Sequence, residues 1–529
     1  MNNPIQLEVF KHLFTSVAEE MGVRLQRSAF SPNIKERCDF SCAVFNHEAQ
    51  LIAQAAHVPV HLGAMPLSVQ ACLQHMTFDP GDVAIVNDPF QGGTHLPDIT
   101  LVSPVFTGKK GQETLLGFVA NRAHHSDVGG MSPGSMPISR ELYQEGIIIP
   151  PLKLVVAGTR NQELWDFFLA NVRTPQERAG DLHAQLAANR IGIARLQEIV
   201  SRYNADVVSE YMGELLAYSE RLTRQLIGRL PNGTYRFEDF LDDDGVDPFP
   251  VKIAVAITIK DDAIFVDFDG TAPQCKGSVN AVYAISLSAT AYVFRCLLGL
   301  DIPANSGCMA PVTVSAPAGT VVNAKRPAAV AAGNVETAQR IVDVLIGALG
   351  QACPDQVPAA SQGTMNNVTI GGWDHERSRH FAYYETLGGG MGAGKVCHGA
   401  SGIHSHMTNT MNTPVEALEY VYPFHVTHYG LREGAGGDGM FQGGEGVVRE
   451  IEFLQEAEVT LLTDRRRTVP YGLAGGMQGE RGHNVLIRGG QEQELPGKVQ
   501  FEVRKGDRLR IETPGGGGYG YLKTQKCEQ

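Results

Sequence analysis

The sequence predicts an α+β protein built of several lobes, and three observations carry that expectation. An amphipathic helical pattern opens the chain, and short β-rich runs then mix with long helical stretches up to about residue 230. The remainder is rich in β-runs and broken by glycine clusters. The length of 529 residues also exceeds what one hydrophobic core usually organises.

Asn3 can cap and Pro4 can open a helix whose apolar face is Leu7, Phe10, Phe14, Val17, Met21 and Leu25. From Asp39 the pattern changes to strand-like runs at 41–45, 50–55, 83–86, 99–106 and 115–120, interrupted by a helix over 65–76. Two long helical patterns follow over 175–230, separated near Asn204. A Pro-Asn-Gly turn at 231–233 then introduces β-rich runs at 234–239, 251–259 and 263–268. Glycine clusters at 388–394, 434–446, 472–479 and 515–520 suit tight loops between short strands and show no fixed period. The expected division is a mixed α/β metal-binding lobe over 1–230, a β-rich middle lobe over 231–330 and a glycine-rich α+β lobe over 331–529.

Apolar residues make up 43% and charged residues 19%, a balance that excludes a disordered chain. The net charge of -13, with no clustered basic surface, excludes a general nucleic-acid binder. No run approaches the roughly 18 apolar residues of a membrane span and residues 1–7 carry no signal-peptide pattern, so a cytoplasmic protein without membrane contact is expected. The nine cysteines are odd in number and include no CxxC pair, so neither disulfides nor a thiolate metal site is expected. Only Cys38 and Cys42 lie beside a chemically interesting segment.

That segment runs from Asp39 to Asp127. Asp39, Asp88, His95 with Asp98, and His124-His125 with Asp127 combine carboxylates and imidazoles with loop or strand-end positions. Such donors without thiolates suit zinc, manganese or iron in a catalytic site that keeps positions open for water. Each residue alone reads more readily as a loop cap, but the concentration favours a shared site. Adjacent residues on a strand point to opposite faces, so His124 and His125 do not readily share an ion. Pro97 discourages a helix between His95 and Asp98, which therefore project from an extended turn. Pro59 likewise breaks the helical spacing of His57 and His61, which are expected to support the structure or the ligands.

Residues 389–395 match the first seven positions of a phosphate-binding loop, but Val396 stands where the magnesium-holding hydroxyl belongs and no amphipathic helix follows. A structural loop is expected. The polar run 407–416, preceded by His404 and His406, would suit a polar ligand, although turns favour the same residues. Asp464 followed by Arg465, Arg466 and Arg467 could hold an anion, but a salt-bridged loop is the plainer reading.

ERCDFSCAVF at 36–45, NDPFQGGTHLPD at 87–98, HHSD at 124–127, MTNTMNTPVE at 407–416 and PGGGGYG at 514–520 together resemble the hydantoinase B/oxoprolinase family, nearly end to end and in order. The resemblance implies one half of an ATP-dependent enzyme that opens a small cyclic amide: a hydantoin, 5-oxoproline or a lactam. It implies a separate hydantoinase A-like subunit that uses ATP and magnesium to phosphorylate the amide oxygen, in a hetero-oligomer with paired copies of each subunit. It assigns Asp39, His95, Asp98 and His124 to a divalent ion, zinc or manganese. His125 or Asp127 would orient a ligand or move a proton, with Asp88 a lesser candidate. The alternatives are a subunit of an acetone-carboxylase-like enzyme and a scaffold whose metal is structural. The substrate and the general base are not legible.

Overall fold

A computed structural model describes residues 3–522 apart from 56, 62, 300 and 301, so residues 1–2 and Cys527 lie outside the described residues. Asn3 accepts a hydrogen bond from the Ile5 amide at 3.0 Å and Pro4 fills the first turn, where a missing N–H costs nothing; α1 (Pro4–Ser28) therefore starts where the sequence predicts. It buries Phe10, Phe14, Val17, Met21 and Leu25 on one face. A single turn, α2 (Pro32–Lys35), leads into the first sheet.

That sheet contains β1 (Phe40–Asn46), β2 (Leu51–Gln54), β3 (Val83–Val86), β4 (Asp98–Thr107), β5 (Thr114–His124), β6 (Leu152–Val156) and β7 (Thr159–Arg160), with α3 (Met65–His75) inserted after β2. Its order is β2-β1-β5-β4-β3-β6-β7, and neighbouring strands are antiparallel. Helices α4 (Gln162–Ala170), α5 (Pro175–Tyr203) and α6 (Ala205–Ile227) follow, with Asn204 at φ 63° separating the last two. Both faces are covered, and period-two alternation sorts the side chains. Cys42, Val44 and Val119 pack with Phe14 and Met21 of α1 and Ala188 of α5. Ala43, Phe45, Phe118 and Ala120 pack with Val69 and Cys72 of α3.

The middle sheet has the order β11-β10-β9-β8, from β8 (Gly233–Leu241), β9 (Val251–Lys260), β10 (Ala263–Asp267) and β11 (Val312–Ser315). Two further helices, α7 (Tyr283–Leu298) and α8 (Ala338–Ala352), pack together, and α8 also covers β8 and β9 although it lies beyond residue 330. Just before α8 the chain makes a π-helical turn over Gly333–Thr337. The C-terminal part forms two packed sheets. One joins β12 (Asn367–Asp374), β13 (Arg379–Glu385), β16 (Ala457–Leu462) and β19 (Lys498–Val503). The other joins β14 (Phe424–Arg432), β15 (Gly446–Phe453), β17 (His483–Arg488), β18 (Gln491–Leu495) and β20 (Arg508–Glu512); the short α9 (Val415–Val421) precedes β14. Ile370, Phe381 and Tyr383 of one sheet meet Phe424, Ile451 and Leu509 of the other. One further core is continuous across Leu101, Ile253, Ile341 and Tyr384, so the three sequence regions share a single interior. The α+β expectation holds.

Candidate metal centre

The sheet register assembles the site. Asp98 and His124 are cross-strand partners at the ends of β4 and β5, which puts their side chains on one face at close range. The amide of His124 donates to the Asp39 carbonyl at 3.0 Å, so Asp39, one residue before β1, flanks His124 from the other side. The turn before β4 is closed by the Asp98 amide on the His95 carbonyl at 3.1 Å, and this brings His95 in as the fourth residue. His95 Nε2 lies 3.2 Å from His124 Nδ1 and 3.3 Å from Asp98 Oδ1, and His124 Nδ1 lies 3.4 Å from the same oxygen. Asp39 Oδ2 stands off at 4.0 Å from His124 Nδ1.

These spacings fit an ion. Donors held about 2.0–2.2 Å from one centre in a tetrahedron are roughly 3.3–3.6 Å apart, which is the spacing of the His95, Asp98 and His124 donors. Protonation fits as well. His95 Nδ1 lies 3.2 Å from the Ala331 carbonyl, which can only accept, so Nδ1 carries a proton and, in the neutral ring, the Nε2 lone pair faces the site. Burial depresses His124, leaving a neutral imidazole. Burial by itself would raise the Asp98 carboxyl, but the imidazoles of His95 and His61 and the contact with His124 outweigh it and hold it well below the usual carboxylate range. A neutral His124 imidazole and an ionised Asp98 carboxylate are forms that bind a metal.

Residues beyond the four assigned donors complete the surroundings, His61 among them in the supporting place expected for it. His61 Nε2 lies 3.5 Å from Asp98 Oδ2, its Nδ1 lies 2.8 Å from Ser41 Oγ, and Thr94 donates to the same Asp98 oxygen. Tyr384, on the opposite face of β13 from Tyr383, stacks on His124 with ring centroids 4.2 Å apart, and its hydroxyl donates to Asn367 at 2.9 Å. Asn334 of the π turn reaches His95 Nε2 at 3.0 Å. A cavity of about 20 Å³ lined by Asp39, His61, Asp98, His124, Asn334 and Tyr384 among others has room for one water or ion. Asn334 and Tyr384 come from segments more than two hundred residues away, and neither carries a local motif that could have announced it.

His125 and Asp127, expected to act beside the ion, do not line this cavity. The alternation of β5 continues past its end, so His125 turns to α5, where its Nε2 lies 2.9 Å from Gln185 Oε1, and burial depresses its pKa to about 4. Asp127 accepts from the Arg173 amide at 2.6 Å and its guanidinium at 2.9 Å. Asp88 caps the turn Pro89–Gln91 and pairs with Arg326. His57 accepts from the Cys42 amide at 3.2 Å, away from the donors, whereas His61 touches Asp98. Cys42 is buried in the core and Cys38 accepts from Gln26 at 3.0 Å; the eight described cysteines are all free.

The glycine run 389–395 is packed against other backbone: a Cβ on Gly390 would lie 2.0 Å from the Gly444 carbonyl oxygen, and Lys395 pairs with Asp355. Within 407–416, Met407, Thr408 and Thr410 line the cavity, while Asn412 donates to the Thr386 carbonyl at 2.7 Å. His404 and His406 are both depressed by burial. One arginine of the run joins a buried ion-pair network: Arg465 meets Asp239 at 2.6 Å and Asp343 at 2.7 Å, and Asp464 meets Lys498 at 2.7 Å and Arg340 at 3.0 Å, while Arg466 donates to Asn366 and Asn484 and exposed Arg467 faces Asp243.

The fold and the donor set define an α+β protein with a candidate oxygen-and-nitrogen metal site at the end of an antiparallel sheet. Residues 3–522 match the model of the Hydantoinase B/oxoprolinase family, and the chain belongs to that family. It is 42% identical over 522 residues to an uncharacterized protein of Methanocaldococcus jannaschii, covering 98% of this chain and 90% of that one. It is also 42% identical over 549 residues to 5-oxoprolinase 1 of Arabidopsis thaliana, covering 98% of this chain but only 42% of the longer plant protein. The crystal structure of an ATP-dependent caprolactamase from Pseudomonas jessenii superposes with a TM-score of 0.91 at 27% identity, over 99% of this chain and 93% of that one. A nucleotide-free acetone carboxylase structure gives the same TM-score of 0.91 at 17% identity, over 98% of this chain and 76% of that one, and shows the fold alone. Among the described residues, no helix is long and apolar enough to cross a membrane.

Proposed function

We propose that this chain is the hydrolytic half of an ATP-dependent cyclic amide hydrolase and works on an intermediate phosphorylated by a hydantoinase A-like partner. The observation that carries the proposal is the 3.2–3.4 Å spacing of the His95, Asp98 and His124 donors beside a cavity of one-ion size. These three residues would hold the ion, and an oxygen-and-nitrogen set suits zinc or manganese. When bound, such an ion supplies acidified water and a polarising charge. Asp39 faces the same cavity one step farther out, where its carboxylate can take a proton from the attacking water. Val58, Val60, Val335 and Met407 make the wall dry, which protects an activated intermediate from bulk water and strengthens each charge. Thr386 and Thr410 line the same wall, their hydroxyls bonded to the Arg37 guanidinium and to each other.

ATP is needed because an unstrained amide ring expels its nitrogen with difficulty, whereas a phosphorylated carbonyl carbon is far more electrophilic. A short-lived intermediate favours a docked partner, so the working form is a hetero-oligomer with paired copies of each subunit. The test is to assay ring opening and phosphate release on hydantoin, 5-oxoproline and caprolactam with each subunit separately and then together. Activity is expected only in the mixture. Strong ATP-independent hydrolysis by this chain alone would overturn the two-subunit reading, and ATP-dependent consumption of acetone and bicarbonate would replace it with a carboxylase.

A further inference from the structure

Asn334 sits on the His95 nitrogen that an ion requires. In the neutral His95 ring whose Nδ1 proton points to the Ala331 carbonyl, Nε2 accepts, and the Asn334 amide nitrogen donates to it at 3.0 Å. An ion takes that same lone pair, so loading the site removes the acceptor and leaves an N–H₂ group aimed at a cation. Meanwhile Asn334 Oδ1 is buried without a hydrogen-bond partner, in a side chain only 5% exposed that lines the cavity. A half-turn of the carboxamide exchanges nitrogen and oxygen at nearly unchanged positions. The oxygen then stands about where the nitrogen is now, at 3.0 Å from His95 Nε2, close to the spacing between the other donors.

We propose that Asn334 is an oxygen ligand of the ion, through a carboxamide that turns over when the ion binds. The backbone supports this role. The segment is pinned by the amides of Ala332 and Gly333 on the Ser278 carbonyl, at 2.9 and 3.1 Å. A Cβ on Gly333 would lie 1.9 Å from the Asn280 carbonyl oxygen, so only glycine lets the chain come this close. The π turn that follows aims Asn334 at the cavity, a local widening of the helix of the kind that recurs at functional sites.

The inference rests on the metal centre of the proposed function, but its test does not depend on turnover. Cobalt(II) is titrated into the metal-free chain against a competing chelator, following both affinity and the visible d–d spectrum, for wild type, Asn334→Ala and Asn334→Asp. The expected result is an affinity about tenfold or more weaker and an altered spectrum for Asn334→Ala, with tighter binding and an altered spectrum for Asn334→Asp. The contrary model, in which Asn334 merely caps empty His95, predicts the opposite sign, because removing a competitor of the ion tightens binding. Equal or tighter cobalt binding by Asn334→Ala would therefore overturn the proposal. If that variant fails to fold, unchanged affinity and spectrum in Asn334→Asp would overturn it. A wild type that binds no cobalt would remove the metal centre as well, whereas loss of ATP-dependent hydrolysis with these titrations as expected would count against the hydrolase reading alone.

Discussion

At the scale of single residues, the site depends on donors that hold one another in place. His95→Ala and His124→Ala are each expected to reduce bound metal from about one ion per chain to a small fraction, weakening affinity by more than the ~10–100-fold typical of supporting residues. Elemental analysis after dialysis measures this directly; full metal content in both variants would exclude these two ligands. Glu145 offers a second test. It is fully buried, accepts from the amides of Val330 and Ala331 at 2.8 and 3.0 Å, and so braces the carbonyl that orients His95. Burial outweighs these hydrogen bonds and raises its pKa to about 7. A carboxyl whose folded pKa is raised binds its proton more tightly in the folded chain, so the stability it contributes is present below about pH 4.5 and is lost as pH rises through about 7. The loss is of order 3 kcal/mol at ~1.4 kcal/mol per unit. Denaturant midpoints between pH 5 and 8 should fall with pH in wild type and become flatter in Glu145→Gln.

At the scale of elements, much was legible. The helix predicted over 65–76 is Met65–His75, and the strands predicted at 99–106 and 115–120 are longer, Asp98–Thr107 and Thr114–His124. Both strands extend toward the site because the ladder between Asp98 and His124 continues past the apolar run, and polar residues there satisfy the site rather than the periodicity. Residues Tyr283–Leu298 and Ala338–Ala352 are helical without having been read as such. The second is buried over almost its whole circumference, and its polar residues Gln339, Arg340 and Asp343 are held inside the protein by hydrogen bonds and ion pairs rather than turned to solvent. The π turn before it has no sequence signature at all. Gly333→Ala tests its importance: the close approach to Asn280 is expected to cost about 1–3 kcal/mol by overpacking, and to weaken metal binding more than a substitution of equal stability cost away from the site. Thermal melting with cobalt titration of the same samples separates the two effects.

At the scale of the whole molecule, the middle and C-terminal sheets are tied by buried charge. Asp464, beyond β16, meets Arg340 of α8 and Lys498 of β19, while Arg465 meets Asp239 of β8. Asp464→Ala strips a buried carboxylate from two buried cations and is expected to cost about 3–5 kcal/mol, with a smaller loss in Asp464→Asn, measured as shifts in the urea midpoint. Arg465 is thereby explained by salt bridging, and Arg466 by its buried hydrogen bonds to Asn366 and Asn484. Titration calorimetry with magnesium-ATP on the isolated chain should likewise show no tight binding, and Lys395→Ala should leave the trace unchanged, since that lysine is paired with Asp355.

The sequence by itself determined the α+β class, the oxygen-and-nitrogen donors, the family resemblance and the opposed directions of His124 and His125, because periodicity and residue chemistry are local properties. Only the tertiary structure decided which donors meet. Asp39, Asp98 and His124 converge through the register of three neighbouring strands, and His95 through the turn that precedes one of them. The same register turns His125 toward α5, and Asp127 is occupied by Arg173. Asn334 and Tyr384 reach the cavity from segments whose own sequence fixes only their local conformation. Their proximity to His95 and His124 comes from how three of the four sheets pack around one shared core, a long-range outcome that no spacing along the chain records.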